Sequence, residues 1–453
     1  MKGILCELRL ILRSRLSVAS LLLLFMLAAL AVLSGLREVA SQHETLARVA
    51  PLNKQDLASV ETRYPQDANG GYPAYYSFHN TWDPPSNAAF LALGMRDVAP
   101  YMLRIRALGL QAQLYEGETF NAELALPGRF DFAFVLIYLA PLFVIALLHD
   151  LVSGERQSGR LRLLLAMSDG KRLWRRRVAL RYGLLLICLG LPALVGALIA
   201  GMAAGALAMT LAVIASSLAF WFGLSLLVTA RGWRSSATAT VLMSAWVVLT
   251  LVVPTLANVM LNRSIPVHQG VDLMLAQRQA VHGAWEIPRQ ETMQRFYANH
   301  PQWQDSAALP PTFHWKWYFA FHQVGDESVA DQVRAYRAGL LQRQVWSDRL
   351  GWALPGVGAQ AILHRLADTD LQAQLAYQDR IGVFHQQLRD FYYPYLFNEQ
   401  PFGRQDYASQ PQFTPREPSA YAFQPSAWGG LALAWLLFML GGWQLAQLRP
   451  NQQ

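Results

Sequence analysis

Apolar residues gather in six long windows, and polar residues fill two long gaps between them. The windows cover 16–36, 132–148, 178–199, 202–229, 237–258 and 428–446. A bilayer core about 30 Å thick is crossed by about 20 apolar residues of helix. Each window is long enough, so six membrane-spanning helices are predicted. Insertions at 37–131 and 259–427 then fall on one side of the membrane, and the other connections are short. The first window holds Ala29-Leu30-Ala31, a small-residue pattern of the kind a signal peptidase cuts. Its apolar run continues to Leu36, past a usual signal core, so an uncleaved anchor is expected. Ahead of it, Ile4, Leu5, Leu8, Ile11 and Leu12 recur at helical spacing among Lys2, Arg9 and Arg13. That spacing predicts an amphipathic helix over 1–15, lying on the membrane face.

The two gaps read differently. The first is rich in turn formers, at Asn69-Gly70-Gly71 and Asp83-Pro84-Pro85-Ser86. Short strands mixed with helices are expected there. In the second, Val333, Tyr336, Leu340, Val345 and Leu350 repeat at three-to-five-residue intervals, and so do Leu371, Leu375, Ile381, Phe384, Leu388 and Phe391. Two long helices packed on each other are predicted, between proline-rich connections at Pro310-Pro311 and from Pro401 to Pro425. The apolar stretch from Gly351 to Leu363 suggests a segment at the outer interface. The fold class is thus a mainly α membrane protein with six transmembrane helices and two large extracytoplasmic insertions, the first mixed α/β and the second mainly helical.

Composition agrees with this class. The chain is 53% hydrophobic and 15% charged, where a soluble protein carries about 25% charge. Charge also sets the orientation. The N-terminus, the connections 149–177 and 230–236, the residue Arg181 and the tail 447–453 together carry sixteen Lys and Arg against four acids, Glu7, Asp150, Glu155 and Asp169. The remainder of the chain holds 22 basic and 26 acidic residues. A cationic excess on one side marks the cytoplasm. Both termini are therefore expected inside and both insertions outside, in a bacterial inner membrane. The basic residues serve topology and lipid headgroups, so nucleic acid is not an expected partner. Cys6 and Cys188 imply no disulfide framework.

Several patterns suggest chemistry and fail on inspection. Gly154 to Leu161 has the spacing of a phosphate loop, but Arg160 and Leu161 replace the Lys and Ser or Thr that reach phosphate and magnesium. No ionisable residue sits in the middle of a window, where ion-coupled transporters keep a carboxylate. Ser216, Ser217, Ser225, Ser244 and Thr250 read as helix-packing residues, and Gly201-x3-Gly205 as a weak helix contact. The histidines lack ligand spacing, and the Trp315-Lys-Trp317-Tyr318-Phe319 cluster suits a folded core as well as a membrane or ligand contact. No catalytic, cofactor-binding or metal-binding residue is assigned.

The stretch running from Gly128-Arg-Phe-Asp-Phe-Ala-Phe134 through Pro141 to His149-Asp-Leu-Val-Ser-Gly-Glu-Arg-Gln-Ser-Gly-Arg-Leu-Arg-Leu-Leu-Leu-Ala166 is more specific. It resembles the type-2 ABC permease (exporter) family, whose second helix is followed by Glu, three residues, Gly and a leucine-rich run. Here these are Glu155, Gly159 and Leu161 to Leu165, with the basic run from Lys171 to Arg177 leading into the third helix. Arg160 stands where a small residue such as Thr is common in the family. The large insertions, Phe130-Asp-Phe-Ala-Phe134 and Ala367-Asp-Thr-Asp370 are similar to a branch whose outer domain is uncharacterised. The resemblance implies that 149–177 docks into a groove on a separate cytoplasmic ABC ATPase, which holds the ATP and Mg. Glu155, Arg156, Gly159, Arg160, Leu161, Arg162, Leu164 and Leu165 would form the coupling surface, with Leu161, Leu164 and Leu165 on the docking face. It further implies a second permease copy or a related permease, and an outer region able to receive cargo or meet an envelope partner. The rival readings are a membrane-anchored receptor or assembly factor that transports nothing, and a hydrolase. The hydrolase lacks a Gly-x-Ser-x-Gly or metal motif.

Overall fold

The computed structural model describes residues 2–116, 130–166, 170–267, 270–416 and 427–447. Gly128, Asp169, His268, Pro425 and Arg449 lie outside the described residues. The structure is mainly helical. Six of its helices are long and apolar enough to cross a membrane: Arg15–Arg63, Phe132–Gln157, Arg172–Ile199, Ala204–Thr229, Ser235–Ser264 and Gly429–Ala446. They are called the first to sixth spans below. Each overlaps an apolar window predicted above, but their ends differ. The first continues without a break to Arg63, because 37–63 is helix-compatible and polar, and Pro51 is accommodated on its exposed side. The third belongs to a helix that begins at Gly170, so the basic run is its first two turns.

The spans pack unequally. The apolar stretches of the second and fourth are 67% and 61% buried, and they form the centre of the bundle. The fourth and sixth cross closely because Gly223 and Gly441 meet backbone to backbone; a Cβ on Gly223 would lie 2.5 Å from the Leu437 carbonyl carbon. Trp435 Nε1 donates to Ser216 Oγ at 3.1 Å, and Tyr182 Oη to the Ala215 carbonyl at 2.7 Å. These bonds fix the sixth and third spans to the fourth without a charge. The fifth span has only 6% of its apolar stretch buried within the chain. Both it and the second span contain a π-helical turn, Val248–Val252 and Val135–Leu139. Each turn ends two residues before a proline, Pro254 and Pro141. Proline cannot donate to the preceding turn and its ring crowds that carbonyl, so the helix widens there. Trp246 Nε1 donates to the Tyr138 carbonyl in the second of these turns at 3.2 Å.

The two insertions form one polar unit. Strand His79–Trp82 pairs antiparallel with Met102–Ile105, and Gln66–Asp67 pairs with Phe402–Gly403 across the two insertions. The segment 107–111 is gripped by the second insertion. Asp326 accepts from the backbone N–H groups of Leu110 (3.0 Å) and Gln111 (3.2 Å), Arg389 donates to the Leu108 carbonyl at 2.9 Å, and His385 Nε2 contacts that same carbonyl at 2.6 Å. Arg389 and Asp326 also pair at 2.9 Å with almost no solvent exposure. The aromatic cluster 315–319 is core: Lys316, Trp317 and Phe319 are buried.

The predicted helices of the second insertion are Ala330–Ala353 and Leu371–Asn398. They do not lie along each other. They meet only near one end, where Tyr336 and Leu340 join Leu371 and Leu375. Their mutual packing is replaced by a third helix, Pro355–Ala367, which lies against the first of them. The stripe carrying Leu341, Val345 and Trp346 faces outward as a result.

Candidate coupling site and the cap on the bundle

The N-terminal helix Lys2–Arg13 turns into the first span at Ser14, whose hydroxyl accepts the Ser17 N–H at 3.3 Å as an N-cap. Its apolar face is divided. Ile11 is buried against the spans, while Ile4, Leu5, Leu10 and Leu12 are exposed. After the second span comes a short helix, Ser153–Gln157, then a turn at Gly159, then Leu161–Ala166. Gly159 has φ +72°, a left-handed conformation that glycine adopts without the steric cost of a Cβ, so the Glu-x3-Gly spacing sets the reversal.

One arginine ties these pieces together. Arg177, in the second turn of the third helix, donates through Nε to Glu7 at 3.0 Å and through Nη1 to Glu155 at 2.8 Å. Arg160 Nε closes on the other oxygen of Glu155 at 2.9 Å. The Arg177, Glu7 and Glu155 side chains are 10%, 10% and 14% exposed, whereas Arg160 is 66% exposed. The Arg177 pairs are therefore partly desolvated and strong, and the Arg160 pair contributes little. Arg177 thus joins the N-terminal helix, the connection and the third span.

Of the eight candidate residues, Glu155 and Arg160 enter this network and Gly159 forms the turn. Arg162 is exposed, and Arg156 is half-buried. The leucines differ from expectation. Leu161 is buried inside the chain at 2% exposure, and Leu164 and Leu165 are half-buried. Their shared face packs inward on the bundle, because the chain reverses at Gly159. Leu163, which the sequence reading did not single out, is 69% exposed. The outward face of Leu161–Ala166 is Arg162 with Leu163. Glu7 and Arg177 were also missed. The available signal was that Glu7 is the sole acid before Glu38 and lies beside the basic run only in three dimensions.

At the other end of the bundle, both insertions send a short helix into the same apolar cluster as the spans. One is Ala89–Leu91, with Phe90 packed on Gly35 and Gly196; the other is Pro355–Ala367, with Ile362, Leu363 and Leu366 buried. Glycine is required at Gly35, where a Cβ would lie 2.1 Å from the Phe90 carbonyl oxygen. The motifs Phe130-Asp-Phe and Ala367-Asp-Thr-Asp370 lock this cap. Asp131 N-caps the second span through the Phe134 N–H (2.9 Å) and accepts the Leu93 N–H (3.0 Å). Thr369 donates to the Ala92 carbonyl at 2.9 Å and accepts the Met95 N–H at 2.7 Å through its own carbonyl. Ser86 donates to the Ala367 carbonyl, and Asn87 to that of Gly201 at 3.1 Å. Gly201 has φ +66° and ends the third span, so its place is a turn, not the helix contact its spacing suggested. The apolar run from Gly351 is accordingly part of the bundle's lid.

Among the described residues no three His, Cys, Asp or Glu side chains cluster as metal ligands. A family model described as a domain of unknown function, DUF3526, matches residues 272–416, which is most of the second insertion. No curated protein and no solved structure matches the chain.

Proposed function

We propose that the chain is the membrane-spanning permease subunit of an ATP-binding-cassette exporter in a bacterial inner membrane. Both termini are cytoplasmic and both insertions periplasmic. A separate ABC ATPase holds ATP and Mg and hydrolyses the nucleotide. Its movement is delivered to the segment 153–166, and Arg177 passes it to the N-terminal helix and the third span together. The cap of 86–95 and 354–370 closes the periplasmic end and separates as the bundle opens. The fifth span's bare apolar surface supports a second permease copy alongside it.

The observation that carries this reading is the position of the Glu155-x3-Gly159 turn. It presents Arg162 and Leu163 outward at the end of the bundle that carries the N-terminal helix, while its base is held by Arg177. An exposed leucine flanked by arginines suits a docking contact, and the Arg177 pairs tie its base to the N-terminal helix and the third span. The test is copurification from cells with tagged chain. An ABC ATPase should be retained by the wild type. Leu163→Asp should reduce its retention at least tenfold without lowering the chain's melting temperature, since Leu163 packs on little within the chain. Undiminished retention in Leu163→Asp, or no ABC ATPase with the wild type, refutes the proposal. The second outcome favours the membrane-anchored receptor.

A further inference from the structure

A cavity of about 460 Å³ opens between the N-terminal helix, the start of the first span, the end of the second span and the third span. It is far larger than one ordered water needs. Its wall is part apolar, with Leu10, Leu16, Leu147 and Leu151, and part charged or polar. Most of the charge is already used, by the Glu7–Arg177–Glu155–Arg160 network. Two groups remain. Arg181 has no carboxylate within ion-pair distance among the described residues, and its only hydrogen bond is to the Arg177 carbonyl at 3.5 Å. Asp150 faces the same cavity with no ion pair or hydrogen bond from its side chain among the described residues.

We infer that this cavity holds the headgroup of a zwitterionic phospholipid, with the phosphate on Arg181 and the ammonium on Asp150. A purely basic pocket would select an anionic headgroup. Here one half-buried cation, attracted to Asp150 without pairing with it, and one exposed anion line a single space, where a headgroup carrying both a phosphate and an amine offers each an opposite charge. A guanidinium binds phosphate oxygens as a planar fork, and a carboxylate accepts the ammonium hydrogens. The leucine wall and the exposed apolar side of the N-terminal helix adjoin the opening, so the glycerol and acyl chains run along them into the bilayer. A free soluble phosphate would gain nothing from those leucines. The inference rests on the membrane placement proposed above and not on the ATPase.

The experiment uses the full chain in detergent, with no ATPase present. Native mass spectrometry counts bound dioleoyl phosphatidylethanolamine and dioleoyl phosphatidylglycerol, with and without inorganic phosphate. One phosphatidylethanolamine per chain should be retained. Arg181→Gln should weaken both lipids at least tenfold, and Asp150→Asn should weaken phosphatidylethanolamine while leaving phosphatidylglycerol unchanged. Should Arg181→Gln fold poorly, Ser17→Phe fills the same cavity without touching either charge and should displace the lipid. Equal retention of the two lipids by the wild type, retention unaffected by Asp150→Asn and Ser17→Phe, or displacement of the lipid by millimolar phosphate each overturns the assignment. ATPase copurification is indifferent to all of these outcomes, so the two proposals fail separately.

Discussion

Arg177 shows how a single side chain decides the behaviour of three elements. Its two carboxylate partners lie 170 and 22 residues away in sequence. Removing the guanidinium leaves two partly desolvated carboxylates facing each other, which is worse than losing a pair from water. Breaking a buried pair by deleting one partner costs about 3–5 kcal/mol, and the residual exposure here reduces that to roughly 2–3. Arg177→Gln should therefore lower the melting temperature of the detergent-solubilised chain more than Glu7→Gln or Glu155→Gln does. Either single carboxylate change leaves the arginine one charged partner. A smaller loss for Arg177→Gln than for Glu155→Gln would mean the network is not the joint described. None of this was legible in the sequence. The Glu-x3-Gly turn could be read because its residues are local, but nothing in a linear string places Glu7 against Arg177. The buried leucines illustrate the same limit: helical spacing shows that Leu161, Leu164 and Leu165 share a face, and only the direction of the turn shows that this face points inward.

At the scale of elements, the six apolar windows were legible because a helix in lipid must be apolar over its whole length. Where the helices end was less so. Polar residues 37–63 remain helical because helix formation needs no apolar face once the helix is anchored at one end. The lid could not be anticipated from Pro355–Ala367 alone, since an apolar helix looks the same whether it caps a bundle or lies on a membrane. Asp131 is the element's most exposed weakness to mutation. It caps the second span and also holds the Leu93 N–H, and burial pushes its carboxyl upward from the ordinary carboxylate range. Asp131→Ala should cost about 1 kcal/mol for the lost cap. It should cost a further 1–2 kcal/mol for the stranded Leu93 N–H. Amide hydrogen exchange would report this as at least tenfold faster exchange at Leu93 and through 89–95, with 161–166 unaffected. Asp131→Asn keeps one acceptor oxygen and should fall between. Unchanged exchange at Leu93 in the alanine variant would remove the lid from the account.

The whole molecule divides its stability between two kinds of core. The bundle relies on apolar contact and glycine crossings, with its charges at one end. The polar unit buries titratable groups, and this makes it sensitive to acid. Burial lowers His79 to about 4, and burial with the charges of Arg389 and Arg106 lowers His322 to about 3. His385, which is buried, is shifted the same way. An unfolded histidine titrates near 6.5. The folded values lie below this, so the stability these neutral histidines carry is complete above about pH 6.5. It is lost progressively as pH falls toward the folded values. At pH 5 each of His79 and His322 should therefore cost about 2 kcal/mol relative to pH 7.5. Glu327 acts at lower pH: burial raises it, but hydrogen bonds from His300, Asn299 and Gln323 outweigh burial and hold it low, so its contribution is intact above its ordinary value of 4.5 and is lost only below it. The measurement is tryptophan fluorescence melting of the full chain across pH 5–8, because Trp303, Trp315 and Trp317 lie in this unit. The wild type should lose melting temperature steeply below pH 6.5, and His79→Gln with His322→Gln should flatten the slope whatever their melting temperature at neutral pH. A double variant with the wild-type slope would show that the acid response arises elsewhere. If the slope does flatten, the grip of Asp326 and Arg389 on segment 107–111 loosens in the same pH range, because His322 stands among those groups. The lid hangs from that grip through strand Met102–Ile105 and its partner His79–Trp82, so acid should release it before it disturbs the spans.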